Sequence, residues 1–262
     1  PPFNPVGDDG TYLAGKVGPD WLKGVHVLKA NELIVNDLAA RGWLLRHDPY
    51  PHSYPHCWRC HKPVLFRATP QWFIAMDVGG LRERAVAAIH EASWVPAFGA
   101  SRIAQMIETR PDWCISRQRT WGVPIPAVVC TACLPEHPDA FLREKAFFTH
   151  VERTVLAEGS DAWFPRGGES ASERIDRLVP PAVSCPTCGH REHLAIHDHI
   201  VDVWFESGVA HSAVLGRDPR LPWPADLYLE GHDQYRGWFH SSLLVAVNDR
   251  GRAPYKGVVT HG

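Results

Sequence analysis

A chain of 262 residues has room for one large or two modest domains. Its 45% apolar and 21% charged residues exclude a disordered or fibrous chain. Lys and Arg number 27 against 29 Asp and Glu; a net charge of −2 gives nucleic-acid binding no support from bulk charge and leaves it to a local patch. No window holds 18 consecutive apolar residues, which excludes a transmembrane helix. The opening PPFNPVGDDG carries no basic stretch ahead of an apolar run, so no signal peptide is visible. A start at Pro1 and a stop at Thr260-His261-Gly262, straight after an apolar stretch, read as cuts through a longer polypeptide.

Residues 1–30 are rich in Gly, Pro and Asp and predict loops and short strands. A helix is expected from Asn31 as N-cap, with Ile34 and Leu38 one turn apart and Gly42 as terminator. Residues 46–60 predict a loop, and Pro63 to Thr69 (PVLFRAT) a strand. Residues 80–93 predict a helix with Leu81, Ala85 and Ile89 on one face. A second follows, capped by Ser101, with Ile103, Met106 and Ile107 inward. Residues 138–157 predict a helix through Phe141, Phe148, Val151 and Val155, and 158–184 a loop. His199 to Phe205 (HIVDVWF) and Asp226 to Glu230 (DLYLE) read as strands. Gly231, a helix from about Tyr235 to Asn248, and a last strand over Lys256 to His261 complete a βαβ unit. That order implies parallel strands in a doubly wound core.

Six of the seven cysteines form C-x-x-C pairs: Cys57 with Cys60, Cys130 with Cys133, and Cys185 with Cys188. Without a secretory signal, metal ligation is favoured over disulfides. Cys130/Cys133 and Cys185/Cys188 read as the two knuckles of a zinc ribbon, and the 51 residues between them require an insertion. Surface thiols and a redox pair are the other readings, although no thioredoxin-like context surrounds either pair. Cys57 and Cys60 are a third knuckle with no partner pair in the sequence, and are expected to act as a second metal half-site.

The strand-to-helix turn Glu230-Gly231-His232-Asp233-Gln234 sits where ligands bind in open α/β sheets. Gly231 admits a ligand to the backbone, Asp233 accepts from ribose hydroxyls, Gln234 donates and accepts, and Glu230 can face an ammonium. The same acids also suit a plain helix N-terminus. Trp204 and Trp238 could wall an apolar slot or serve as core, and His261 ends the last strand at the same rim. Arg117 and Arg119, followed by Trp121-Gly122, suit phosphate or single-strand contacts, with a structural role equally open.

Trp113-Cys114-Ile115-Ser116-Arg117-Gln118-Arg119-Thr120-Trp121-Gly122-Val123-Pro124-Ile125-Pro126 resembles a segment of class I aminoacyl-tRNA synthetases of the aliphatic subgroup. Two further strings narrow the resemblance to the isoleucyl family, Asp202 to Gly208 (DVWFESG) and Leu229 to Phe239 (LEGHDQYRGWF), and Arg67 to Phe73 (RATPQWF) agrees with it. Thr260-His261-Gly262 agrees, and the resemblance runs from Asn4 to Gly262.

It implies an α/β chain, part of a class I Rossmann-like catalytic domain with a zinc-ribbon insertion and the C-terminal end of an editing domain. On that reading 1–50 closes the editing domain and 51–126 leads back into the catalytic domain. Residues 127–198 form the zinc-bearing insertion, and 199–262 the second half of the catalytic core. Glu230, Gly231, Asp233, Gln234 and His261 would bind the aminoacyl adenylate. Trp204 and Trp238 would line the amino-acid pocket, and Arg117, Arg119 and Trp121 are possible tRNA contacts. The ribbon cysteines would hold structural zinc, with Cys57 and Cys60 completed by an upstream knuckle.

ATP with Mg²⁺, isoleucine and tRNA(Ile) would be the intact enzyme's substrates, in a monomeric cytoplasmic protein with no membrane partner. No residue of the chain is expected to be catalytic. The family's HIGH and KMSKS motifs are absent, so the segment alone is expected to be inactive. Glu206 stands where the family usually has Asp, and retuned packing is expected there. A valyl or leucyl relative, or a non-catalytic zinc-ribbon RNA-binding module, are the alternatives.

Overall fold

The structure is a computed structural model that describes residues 3–13, 15 and 19–262. The chain forms two compact units, 1–70 and 71–262. No helix among the described residues is long and apolar enough to cross a membrane.

In the first unit, helix α1 spans Val27–Ala40. It begins before Asn31 because the His26 ring accepts from the Leu28 N–H at 3.3 Å and Leu28, Lys29 and Ala30 are good helix formers. It ends as the sequence predicts: Gly42 adopts φ +68°, and the Trp43 N–H returns to the Leu38 carbonyl. The predicted strand over 63–69 reduces to a single bridge between His56 and Pro63. Proline offers no N–H for a ladder. Side chains hold the segment instead: Arg67 donates to the Val6 carbonyl and to Asp8, and Asn4 donates to the Ala68 carbonyl.

The second unit runs β1 (Phe73–Ile74), α2 (Leu81–Glu91), β2 (Ser93–Val95), α3 (Phe98–Glu108), β3 (Trp113–Cys114), β4 (Ser116–Arg117) and β5 (Val128–Cys130). It continues with α4 (Lys145–Glu158), α5 (Ala171–Leu178), β6 (Leu194–Ile196), β7 (Ile200–Val201), α6 (Val203–Gly208), β8 (Tyr228–Gly231), α7 (Trp238–Arg250) and β9 (Gly257–His261). The sheet that matters for the site has the order β2-β9-β8, all parallel, with Gly231 opposite His261 and Ser93 opposite Gly257. The βαβ expectation for 226–262 therefore holds. Leu81, Ala85 and Ile89 of α2, Ile103 and Ile107 of α3, and Phe239 and Leu243 of α7 are buried against this sheet in one core.

A second core lies around the antiparallel pair β5–β6, where Phe147 and Val151 of α4, Ile175 and Leu178 of α5, and Trp163 close over Cys130 and Cys185. Three expectations change here. Helix α4 starts only at Lys145, because Phe141 bridges to Val129. The stretch 158–184 contains α5, opened by a capping box in which Ser170 and Glu173 satisfy each other's backbone N–H. HIVDVWF is a strand only over Ile200–Val201; Asp202 then caps α6, so Trp204, Phe205 and Glu206 are helical.

Helix α5 is tied down by Arg177, which donates to both carboxylate oxygens of Glu169 at 2.6 and 2.7 Å. That grip outweighs burial and, aided by the Arg166 N–H, holds the Glu169 carboxyl down to about 2. A carboxyl depressed in the folded state adds stability that is complete above its ordinary value of 4.5 and is lost as pH falls towards 2. Acid titration followed by Trp163 fluorescence should show this second core loosening in that window. Glu169→Gln should remove the step; an unchanged acid profile in that variant would refute the assignment.

Candidate functional site

The carboxyl ends of β8 and β9 bring Glu230, Gly231 and His261 to one rim, and a single turn of 3₁₀ helix over His232–Tyr235 carries Asp233 and Gln234 beside them. The turn is held from beneath. The Tyr235 hydroxyl meets the Thr260 hydroxyl at 2.9 Å in the core, and its ring stands over Gly99, where a Cβ would lie 2.4 Å from the hydroxyl oxygen. Neither Tyr235 nor Gly99 was marked by the sequence, since their contact joins α3 to a turn more than a hundred residues later.

Gln234 uses both ends of its amide. Its oxygen accepts from the Trp238 N–H at 2.8 Å, opening α7, and its nitrogen donates to Asp233 at 3.0 Å. Gly231 leaves room for that arrangement, because a Cβ there would come within 2.8 Å of the Asp233 carboxylate. Glu230, Asp233 and His261 are exposed, and among the described residues no Lys or Arg lies within 4 Å of either acid. The rim thus presents two uncompensated carboxylates and an imidazole on fixed backbone, suited to hydroxyl or ammonium groups of a ligand.

The two tryptophans are placed differently. Trp238 stacks on Tyr228 with centroids 4.0 Å apart and planes within 9°, and its indole N–H donates to the Ser207 carbonyl. Trp204 is 44% exposed, and its ring edge covers Gly237, where a Cβ would sit 3.0 Å away. It lines a recess of about 190 Å³ with Trp113, Asp202, Gly237 and His240. Gly237 therefore separates the two indoles, and Trp238 gives one of its faces to the core.

Arg117 is committed to the fold. Its guanidinium meets Asp202 at 3.0 Å and donates to the Cys114 and Ser116 carbonyls. Arg119 and Trp121 remain exposed, Trp121 at 90%, beside a cavity of about 390 Å³ that Ile200, Val203 and Glu206 also line. Glu206 accepts from the Val123 N–H at 3.3 Å, so its longer side chain ties α6 to the Trp121-Gly122-Val123 turn.

Cys130, Cys133, Cys185 and Cys188 gather with all four sulfurs within 4.8 Å of one another. Cys130 to Cys188 is 3.8 Å and Cys185 to Cys133 is 3.9 Å. A metal with sulfur ligands at about 2.3 Å in a tetrahedron needs S···S edges of roughly 3.8 Å, whereas a disulfide needs about 2.05 Å. Burial opposes ionisation of Cys185, but the Cys188 and Thr187 N–H groups outweigh it and bring the thiol down to about 6. Burial and the neighbouring thiols push Cys133 up to about 12.

Cys57 and Cys60, expected to be a metal half-site completed by an upstream knuckle, do not join this cluster. Neither Cys57 nor Cys60 belongs to a group of three or more metal-ligating side chains among the described residues, whereas the other four cysteines do. Cys60 is exposed and Cys57 is half-buried. Zinc in a structural site takes four ligands, and one C-x-x-C turn supplies two, so Cys60 and its partner do not form a metal site within the described residues. The turn itself is the same at all three pairs. All three C-x-x-C segments share one backbone hydrogen bond, from the fourth following residue to the first cysteine's carbonyl: His61 to Cys57, Leu134 to Cys130 and Gly189 to Cys185.

The parallel strand ends, the charged turn before α7 and the four-cysteine cluster all belong to one unit of mixed helices and strands. The family model "tRNA synthetases class I (I, L, M and V)" matches residues 23–262, and the chain belongs to that family. It is similar to isoleucine–tRNA ligases: 46% identical over 260 residues to that of Syntrophotalea carbinolica (99% of this chain, 26% of the relative). The ligase of Alkalilimnicola ehrlichii is 49% identical over 264 residues (100% and 26%), and that of Thermotoga maritima 43% over 264 residues (100% and 27%). The chain spans about a quarter of the length of these relatives. A LeuRS from Agrobacterium radiobacter K84, solved as a ternary complex with tRNA and LeuAMS, overlaps 61% of this chain and 21% of its own at 19% identity and a TM-score of 0.33.

Proposed function

We propose that the chain is a segment of an isoleucine–tRNA ligase, the enzyme that activates isoleucine with ATP and transfers it to tRNA(Ile). The observation that carries this reading is the 43–49% identity to isoleucine–tRNA ligases over essentially the whole chain. In the parent enzyme Asp233 would accept from the ribose hydroxyls of the adenylate, Glu230 would face the ammonium, and Gly231 and His261 would let the nucleotide lie against the strand ends. Gln234 supports this by steadying Asp233 and the start of α7. Trp204 would form the accessible wall of the amino-acid pocket, with Trp238 setting its depth from behind. Activation needs the amino-acid carboxylate in line with the α-phosphorus, while pyrophosphate leaves with Mg²⁺ neutralising charge. These residues contribute positioning rather than a covalent step. An apolar pocket discriminates against a missing methylene by only about 1–3 kcal/mol, a limit for which isoleucine against valine is the standard example, so the parent enzyme requires editing.

Residues 1–50 would close the editing domain, 51–126 lead back, 127–198 carry a zinc ribbon on Cys130, Cys133, Cys185 and Cys188, and 199–262 complete the second half of the catalytic core. Cys57 and Cys60 would bind metal only with two further ligands from elsewhere in the parent. Arg119 and Trp121, free of the structural duties that occupy Arg117, are the better placed of the three candidates for tRNA. The parent would be a monomeric cytoplasmic enzyme.

The test is a chimera in which this chain replaces the corresponding quarter of the Geobacter sulfurreducens isoleucine–tRNA ligase, to which it is 47% identical. Isoleucine-dependent ATP–pyrophosphate exchange is expected, with valine about a hundredfold weaker and leucine inert. A chimera that prefers valine or leucine would overturn the assignment. The isolated chain should show no exchange, and activity there would refute the division of the active site proposed above.

A further inference from the structure

Three arginines converge on a recess of about 340 Å³ between α3 and the start of α7, and no carboxylate lines it. Arg102 and Arg110 come from α3 and the segment after it, and Arg236 from the turn before α7; His240 completes the wall. Elsewhere in this unit Arg82, Arg117, Arg174 and Arg177 each meet a carboxylate within 4 Å. Among the described residues Arg102, Arg110 and Arg236 meet none. Arg110 is half-buried over the Trp113 ring at 5.3 Å, and its Nε has no hydrogen-bond partner. Burial lowers its affinity for a proton, the Asp202 charge offsets that, and the charge of Arg236 lowers it further. Asp202 cannot neutralise the group, because Arg117 and the Trp113 indole N–H already occupy it.

His240 is 2% exposed, and neither of its ring nitrogens has a hydrogen-bond partner of normal geometry. Burial and then the Arg110 charge hold the ring neutral, down to about 3, while the Tyr235 carbonyl opposes them. Like charges brought together over an unsatisfied buried ring are unfavourable unless an anion joins them.

We propose that this recess binds a phosphate group, with Arg102, Arg110 and Arg236 as its ligands and His240 as its floor. Three guanidinium groups call for more than one negative charge, and their planar forks match phosphate oxygens in pairs. The Gln105 side-chain amide stands on the same wall to donate to a further oxygen. The inference rests on this geometry alone and not on the amino acid the parent enzyme uses. A free phosphate compound and the backbone of a nucleic acid share this chemistry.

The purified 262-residue chain is titrated with inorganic pyrophosphate at constant ionic strength, following the His240 ring resonances and Trp113 fluorescence. A saturable response with a millimolar or lower Kd is expected, weakened at least tenfold by Arg110→Met and by Arg236→Gln. Arg236 is exposed and its side chain holds no hydrogen bond among the described residues, so the second variant keeps the fold. Displacement of pyrophosphate by a twelve-nucleotide single-stranded RNA would assign the site to nucleic-acid phosphates, and its retention to a small phosphate compound. No saturable response, an equal response to succinate, or a response unchanged in both variants would overturn the proposal.

Discussion

The purified chain is expected to carry one zinc ion, and stripping it should melt the core around Phe147, Trp163 and Leu178 while leaving the parallel sheet folded. Cys130 and Cys185 belong to that core as well as to the sulfur cluster, so an ion bound there would be tied to the apolar contacts. Structural zinc in small peptides is worth about 10–16 kcal/mol. Here that figure is an upper bound, because the module also buries α4 and α5. Since Cys133 is pushed up to about 12 without metal, zinc entry must expel its proton, and affinity should rise with pH. Cys185→Ser should bring metal content close to zero and abolish the Trp163 near-ultraviolet signal, whereas Cys60→Ser should leave both unchanged. Fewer than one equivalent per folded chain, with all four cluster cysteines open to alkylation, would refute the site.

Asp202→Ala should destabilise the unit by about 2–4 kcal/mol in chemical denaturation, the largest effect expected from a single side chain near the candidate site. Asp202 is 5% exposed and does three things: it caps α6 through the Trp204 N–H, accepts from the Trp113 indole, and pairs with Arg117. Loss of a cap costs about 1 kcal/mol. A buried indole N–H left without an acceptor costs a further 1–3, to an order of magnitude. The Arg117 pair adds little, because that side chain is 43% exposed and water can replace its partner. A loss under about 0.5 kcal/mol would show that the cap and the indole contact contribute nothing. Asp202→Asn should recover much of the loss, since an amide oxygen can still cap the helix.

The parts of the fold that local chemistry fixes were legible. The βαβ unit announced itself through an apolar run, a glycine and a helical period, and the cysteine turns through their spacing. The pairing of Cys130/Cys133 with Cys185/Cys188 was legible as well, since two knuckles can complete a tetrahedron, whereas Cys57 and Cys60 had no second pair in the sequence. Helix α5 was missed: Ser170 and Glu173 carry the capping-box spacing, but the surrounding Gly, Ser and Pro made the stretch read as a loop. HIVDVWF misled because β-branched and aromatic residues favour strands, while a buried aspartate in the middle turned the second half into a helix. Pro63 to Thr69 misled for a related reason, as a strand also needs a neighbour to pair with. At the candidate site Glu230 to Gln234 could be read from their place after a strand, whereas the duties of Arg117 and Gln234 could not. Those depend on partners such as Asp202 and Trp238, whose positions follow only from the assembled fold. The basic recess was invisible for the same reason, as it joins α3 to α7.

The sheet order has a temporal consequence. Strand β2 hydrogen-bonds next to Lys256, 163 residues further along the chain, and among the described residues its sheet neighbour is β9. During synthesis β2 cannot complete this pairing until β9 emerges. The cysteine module, whose strands and helices lie between, can complete its own contacts first. Pairings this distant form slowly and leave intermediates open to aggregation. Early closure of the module shortens the wandering chain between β2 and β9 and brings the two halves of the sheet within reach.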